Sequence, residues 1–468
     1  MRSSVLRRLV ILGAVALLGL LLPLASASAQ KPSVRQAVST FTYTQNMHPQ
    51  GYSPRGNTPN LPGLTFTANS DLAFWGNLAF QGHYEGFRII NIASPTNPRE
   101  ISFTDCNGNQ GDIVVYEDIL VRAWNSAAPA GSTCDGQPVP TGFEGVHIFD
   151  ISDLRDPVLV GSVEISNRPT RPDPTVTGCG SHTITAVPDL DAGTLVVYNQ
   201  SAGMCATGEQ EAFHVFEIPL DDPGSPTTPQ TIDLVEALGC HDSGVVLGDA
   251  NLLACASHSH TNVFDIGDNE FPGGSLTDPE FLYHVEECEG ALCVGTGGNW
   301  HSAAFTWDGE VLILGWEPGG GSLPECEASD PALKKSWFFY DAKTGEKLGQ
   351  FVLPRPQGST ENCTVHNYNV VPTDERYLLV GGNYQAGISV VDFTDPANAF
   401  EVAFADPAPL VPTQLGGDWS TYYYNGRIYE SDITRGLLVW NLSGKWDAGA
   451  RRLPYLNPQT SEFTLPSP

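Results

Sequence analysis

The chain has 468 residues and a formal net charge of −30, which comes from 53 acidic and 23 basic side chains. A surface this acidic repels phosphate backbones and anionic membranes, so nucleic acid and acidic lipid are poor candidate partners. The 48 glycines and 36 prolines are spread between short apolar runs, and no linker divides the chain after Lys31. This pattern predicts an all-β fold with regular turns.

Residues 1–29 have the features of a signal peptide. Arginines near the start precede an almost unbroken apolar run over residues 9–24, and small residues occupy positions 27–29. We predict cleavage before Gln30. An uncleaved anchor is the alternative, but the run is shorter than the ~20 residues that span a bilayer comfortably. No second apolar run follows, so we expect a secreted or periplasmic protein without a transmembrane segment after cleavage.

An N-terminal arm, residues 30–64, is followed by an internal repeat over residues 65–445. Each copy has a small residue or glycine, an alternating apolar strand and then, in most copies, a turn. The seven copies lie at residues 86–95, 145–153, 212–219, 261–266, 336–341, 387–396 and 436–442. A hairpin precedes each copy and a further strand follows most of them. Four strands per unit, repeated seven times, predict a single seven-bladed β-propeller with four-stranded antiparallel blades.

The last repeat unit lacks an obvious fourth strand. Residues 38–43 of the arm, or residues 462–465 of the C-terminal tail (446–468), are the two candidates to complete it. Either strand would close the ring, because it would pair with the final copy of the repeat.

Two copies of the repeat carry a family resemblance. The segments Gly-Ile-Ser-Val-Val-Asp-Phe-Thr-Asp-Pro at 387–396 and Gly-Val-His-Ile-Phe-Asp-Ile-Ser-Asp at 145–153 resemble the repeats of LVIVD-repeat proteins, which are exported bacterial β-propellers. The resemblance spans roughly residues 65–445, and several copies are degenerate. It implies the propeller fold and no particular activity, since the family has no settled common one.

A second regularity appears when the units are aligned on their hairpin turns. The residues seven or eight positions before each turn are Asn69, Gln110, His182, His241, His301, His366 and Asp418. This position starts the innermost strand, which faces the axial channel of a propeller. Converging neutral imidazoles suit one Fe, Cu or Zn ion. We therefore predict His182, His241, His301 and His366 as the ligands of one metal ion.

Loops between the second and third strands should open on the same face, and they include Glu317, Asp432 and Arg435. We expect a wider set of residues to contact the ligands or a substrate: His258, His260, Asp418, His83, Glu85, Gln110 and Asn69. A recurring channel residue can instead hydrogen-bond to the neighbouring blade, and the sequence leaves this alternative open.

Ten cysteines in an exported chain favour disulfides. Cys179 and Cys205 lie symmetrically about one hairpin turn, and Cys240 and Cys255 about another, so each pair would face across two antiparallel strands. The other neighbouring pairs are Cys106 with Cys134, Cys288 with Cys293, and Cys326 with Cys363. Metal ligation by Cys240, beside His241, is the alternative for that residue.

Two functions fit these observations best. The first is a secreted metalloprotein, with metal-dependent oxidation of a small molecule as the activity to test. The alternative is a non-catalytic exported propeller that binds a protein or glycan on its top face, and a purely structural surface protein is a third. Nucleophile elbows, phosphate-binding loops and His-Glu-x-x-His motifs are missing from the sequence, which disfavours hydrolases of those classes.

Overall fold

The computed structural model describes residues 32–55, 68–125, 127–165, 180–201, 212–267, 273–296, 298–410 and 414–468. The signal-peptide prediction and the proposed Cys179–Cys205 pair lie outside these residues. Within the described residues, no helix is long and apolar enough to cross a membrane.

Seven antiparallel sheets are arranged around a central channel, which confirms the predicted seven-bladed propeller. From the centre outward, blade 1 consists of Asn69–Trp75, Leu78–His83, Gly86–Asn91 and Arg99–Asp105. Blade 2 consists of Ile113–Tyr116, Ile119–Trp124, Gly145–Asp150 and Val158–Glu164. Blade 3 consists of Thr183–Asp189, Thr194–Gln200, Ala212–Pro219 and Gln230–Asp233. Blades 4 and 5 consist of Cys240–Val246, Leu252–Ser257, Thr261–Asp265 and Glu280–Val285; and Gly298–Phe305, Val311–Pro318, Ser336–Asp341 and Lys347–Val352. Blades 6 and 7 consist of Tyr368–Val370, Leu378–Gly382, Ile388–Asp392 and Phe400–Asp406; and Asp418–Tyr424, Arg427–Asp432, Gly436–Leu442 and Met47–Pro54.

The remaining elements are short. They are the helix Val34–Ala37, the 3-10 turns Gly319–Gly321, Ala332–Lys335 and Pro396–Asn398, and the two-residue strands Thr42–Tyr43, Thr133–Cys134, Gln137–Pro138, Cys288–Glu289, Leu292–Cys293, Tyr455–Leu456 and Thr460–Ser461.

The blades pack face to face through the apolar residues of their alternating strands. Aromatic rings from the third strands meet between neighbours, as in the Phe87–Phe149 pair with centroids 4.9 Å apart and the Phe213–Phe264 pair at 5.6 Å. Such ring pairs add about 0.5–1.5 kcal/mol each beyond the area they bury. The repeated apolar strand seen in the sequence is therefore the contact surface between blades.

The strand that closes the ring comes from the N-terminal arm, but it is neither residues 38–43 nor residues 462–465 of the tail. Met47–Pro54 pairs antiparallel with Gly436–Leu442 and forms the outer edge of blade 7. Residues Thr42–Tyr43 instead add an outer strand to blade 6. Proline is tolerated in Met47–Pro54 because an outermost strand leaves one row of its backbone groups unpaired.

The C-terminal tail crosses the channel at the end opposite to the starts of the innermost strands. Tyr455–Leu456 pairs with the innermost strand of blade 1, and Thr460–Ser461 pairs in parallel with that of blade 4. Between them, the Asn457 side chain exchanges two hydrogen bonds with the backbone of Val115 in blade 2. The tail therefore links several blades and completes none of them.

Four disulfides join the eight cysteines that lie in the described residues. They are Cys240–Cys255, as predicted, together with Cys106–Cys134, Cys288–Cys293 and Cys326–Cys363. Cys240 is thus a disulfide partner, and the alternative of metal ligation by this residue is wrong.

The Cys326–Cys363 disulfide is expected to stabilise the fold more than the Cys288–Cys293 disulfide. Their sequence separations are 37 and 5 residues, and a longer closed loop removes more entropy from the unfolded chain. Replacing Cys326 and Cys363 by alanine should lower the free energy of unfolding by about 4 kcal/mol, against about 2 kcal/mol for Cys288 and Cys293. Denaturant unfolding of the two double variants measures the difference, and equal losses would contradict this ranking.

Candidate metal centre

The four predicted histidines lie side by side on the channel wall, and we call them the histidine arc. They come from four consecutive blades, near the start of each innermost strand: His182, His241, His301 and His366. Neighbouring ring centroids are 4.3, 4.3 and 4.1 Å apart in that order. The shared register of the innermost strands therefore brings four imidazoles into contact, and all four are buried.

Backbone carbonyls fix the orientation of two of these rings. Nδ1 of His241 lies 3.2 Å from the carbonyl oxygen of His301, and Nδ1 of His366 is hydrogen-bonded to the carbonyl oxygen of Trp419. Because a carbonyl oxygen only accepts, both rings carry their proton on Nδ1 and leave Nε2 unprotonated. Metal-bound histidines commonly have their second nitrogen hydrogen-bonded in this way.

The other two rings differ in their support. Nδ1 of His182 lies 2.9 Å from the side-chain oxygen of Asn125. Nδ1 of His301 is buried and has no hydrogen-bond partner within the described ranges. His301 also sits between His241 and His366, so it is one of the two middle members of the arc.

Glu317, at the end of the second strand of blade 5, places a buried carboxylate beside the arc. Its Oε1 atom lies 3.8 Å from Nε2 of His301 and 3.6 Å from Nε2 of His366. One ligand atom each from His241, His301 and Glu317 lie within 4.8 Å of one another. These spacings are close to the ~3.4 Å that separates two ligand atoms of one tetrahedral ion with bonds of about 2.1 Å.

Burial sets the protonation of this cluster. It lowers the pKa of His241 to about 4 and that of His366 to about 3, and it lowers the pKa of His182 and His301 well below the usual value. It raises the pKa of Glu317 to about 7. At neutral pH the imidazoles are uncharged, so their nitrogens are available as metal ligands.

Tyr384 is a part of the site that was not predicted. Its hydroxyl lies 2.6 Å from Oε1 of Glu317 and 2.9 Å from Nε2 of His366. Its backbone has a φ of +50°, a strained value for a bulky residue, and the carbonyl oxygen accepts hydrogen bonds from Gly387 and Asp418. Tyr384 lies in the loop after the second strand of blade 6, and the sequence already predicts that such loops face the site. Its place in that loop is the signal that could have identified it.

The Gly319–Gly321 turn packs directly against this pair. A side chain at Gly321, whose φ is +65°, would lie within 2.4 Å of both the Tyr384 hydroxyl and Glu317. Glycine is therefore required here by both the backbone conformation and the space.

Two further residues of the predicted register bond within or between blades. The Asn69 side chain donates to the backbone carbonyl of Asp432 at 2.9 Å and so joins blade 1 to blade 7. Asp418 clusters with Glu430 and Asp432, all buried, and Asp432 pairs with Arg435 at 2.6 Å. Asn69 therefore makes the hydrogen bond to a neighbouring blade that the sequence left open as an alternative to a role at the metal.

Two of the other candidate histidines, His83 and His260, contact residues outside the arc. His83 accepts a hydrogen bond from the backbone of Glu85, and its ring packs on Phe103 of the outermost strand. His260 packs on His284 of the outermost strand of blade 4, with centroids 4.8 Å apart. Gln110 and His258 are half-buried in loops.

The comparisons with known proteins concern the fold. No protein-family model matches the chain, and a search of curated protein sequences gives no match. Among solved structures, BamB from Moraxella catarrhalis is 13% identical over 78% of this chain and 80% of its own, with a TM-score of 0.40. The computationally designed Ika8 protein is 11% identical over 80% and 83%, with a TM-score of 0.41, and Saccharomyces cerevisiae Sqt1 is 12% identical over 79% and 94%, with a TM-score of 0.46.

Proposed function

We propose that this protein is an exported metalloprotein that holds one transition-metal ion on the Nε2 atoms of the histidine arc, with Glu317 as the carboxylate partner. The observation that carries the proposal is that carbonyl acceptors hold the Nδ1 protons of His241 and His366, which leaves Nε2 unprotonated. Burying four imidazoles and a carboxyl group has a desolvation cost, and metal binding would offset it.

The donor set narrows the choice of metal. Imidazole nitrogen with one carboxylate oxygen suits Fe(II), Cu(II) and Zn(II). His241, His301 and Glu317 have the composition of the two-histidine, one-carboxylate triad that holds non-haem Fe(II) with open positions, so iron is the first candidate.

We infer a metal-dependent oxidoreductase acting on a small molecule. A redox metal held here would supply electron transfer with the substrate or with dioxygen. The chain would contribute the Glu317 carboxylate as a ligand beside His301 and His366, and this carboxylate would stay ionised while the ion is bound. Tyr384 would orient that carboxyl through its hydroxyl.

Export is part of the same proposal. Four disulfides in the described residues are consistent with an oxidising compartment. The predicted signal peptide and the resemblance to the exported LVIVD-repeat proteins support it further.

The metal content of purified protein tests the proposal. The wild type should contain one equivalent of iron, copper or zinc that His241→Ala and His301→Ala lose, because each substitution removes a ligand. His48→Ala is the matched control, since His48 is exposed on the outer edge of blade 7 and contacts Ser443. Elemental analysis after gel filtration measures all four proteins.

A wild type that stays metal-free after reconstitution with each metal would overturn the proposal. The non-catalytic alternative, binding of a protein or glycan on the top face, would then lead, and affinity capture with the full chain would test it.

A further inference from the structure

A second group of metal-ligating side chains lies on the outer surface of blade 4, away from the histidine arc. His260 precedes the third strand, while His284 is in the outermost strand and Glu286 directly follows it. The two strands pair antiparallel with Thr261 opposite Val285, so the next residue on each side is His260 and Glu286. The register of one strand pair thus places two histidines and a glutamate together.

Two side chains of this group, His260 and Glu286, place ligand atoms near the spacing that one ion requires, and the exposed His284 ring would turn to bring a nitrogen to the same ion. Nδ1 of His260 lies 2.9 Å from the hydroxyl of Ser259, which holds the ring. Nε2 of the same ring lies 3.8 Å from Oε2 of Glu286, too far for a hydrogen bond. It is near the ~3.4 Å expected for two ligands of one tetrahedral ion. The His284 ring lies against the His260 ring at 4.8 Å.

Exposure and charge favour a cation at this position. The side chains of His260 and Glu286 are 20% and 56% exposed, so a hydrated ion could reach them without a change in the fold. The chain has a net charge of −30, which raises the local concentration of cations. The Cys288–Cys293 disulfide closes the hairpin that begins just after Glu286 and limits the movement of this ligand.

We propose that His260, His284 and Glu286 form a second metal site, which takes a divalent ion of the Zn²⁺ or Cu²⁺ class with water completing its coordination. Two imidazole nitrogens and one carboxylate oxygen, with an open position for water, form a ligand set that suits these ions. The site does not depend on the proposed function, since it shares no residue with the histidine arc.

Zinc titration of the full-length protein after treatment with a chelator tests this site. His284→Ala, His260→Ala and Glu286→Gln should each remove one bound equivalent or weaken it by about ten-fold or more. Glu280→Gln is the matched control, because Glu280 is exposed on the same strand. Thermal melts in chelator check that all variants are folded.

The design separates the two sites. The equivalent lost in His284→Ala should be retained in His301→Ala, and the reverse should hold for the histidine arc. If zinc binding in the three variants equals that of the Glu280→Gln control, the surface site is overturned, and the group is only a cross-strand contact. Loss of metal in His301→Ala alone would leave the proposed function standing and reject the second site.

Discussion

Deleting residues 455–468 should lower the melting temperature by about 10 °C or prevent folding altogether. The reason is that the tail buries apolar side chains and pairs with the innermost strands of different blades. Leu456 and Leu465 are buried, and burial of a leucine side chain contributes about 1.5–3 kcal/mol. The backbone amides of Val245 and Leu247 also donate to tail carbonyls, both at 2.8 Å, and each bond contributes about 1 kcal/mol.

These contributions together are of the order of the whole stability of a typical domain, about 5–15 kcal/mol. Differential scanning calorimetry of the two proteins measures the change. Removal of the exposed residues 466–468 is the control and should shift the melting temperature by no more than about 2 °C. Where the long deletion gives no folded protein, Leu456→Ala should still fold with a loss of about 3 kcal/mol. Unchanged melting in both variants would mean that the tail adds no stability.

Acidification should destabilise the metal-free wild type more than its His241→Asn variant. Burial lowers the pKa of His241 from the usual 6.5 to about 4 in the folded state. Between those two values the unfolded chain binds a proton at this residue and the folded chain does not. The stabilisation is therefore present above pH 6.5 and is lost as the pH falls towards 4.

The expected difference between wild type and variant accumulates to roughly 3 kcal/mol over this range, at about 1.4 kcal/mol per pH unit. The comparison with the variant is needed because buried carboxyls with raised pKa, such as Glu317, act in the opposite direction. Urea unfolding at several pH values in chelator gives the two curves. His48→Asn, at an exposed position, should follow the wild type, and parallel curves for His241→Asn would show that His241 is not held neutral.

The blades could be predicted from the sequence because their signals are long and repeated. The segment at residues 387–396 has a glycine, a short apolar strand and an Asp-Pro turn, and similar segments make up seven copies along the chain. The closing strand gives no such signal, since Pro49, Gly51 and Pro54 interrupt any alternation. The tail pairs through two residues at a time, which is too short for a period to be visible.

The site was predictable to the extent that it follows strand register. The four histidines share one position in the repeat, and the geometry of a propeller then brings them together. A loop gives no comparable rule for the direction of its side chains, so His260 could not be placed correctly. The position of Tyr384 after a second strand could have been noticed, but the direction of its side chain depends on a left-handed backbone conformation that sequence spacing does not reveal.

The pairing of an N-terminal strand with the last blade also determines when the protein can fold. His48 and Ser443, which are in contact, are separated by 395 residues. Contacts of such long range form slowly because the intervening chain must first be ordered. A chain emerging from the ribosome or a translocation pore with its N-terminus first would therefore hold blade 7 open until nearly all of its length had appeared. The strand Met47–Pro54 would emerge early but would find its partner in blade 7 late, and the tail would cross the channel later still. We therefore expect folding after synthesis rather than during it.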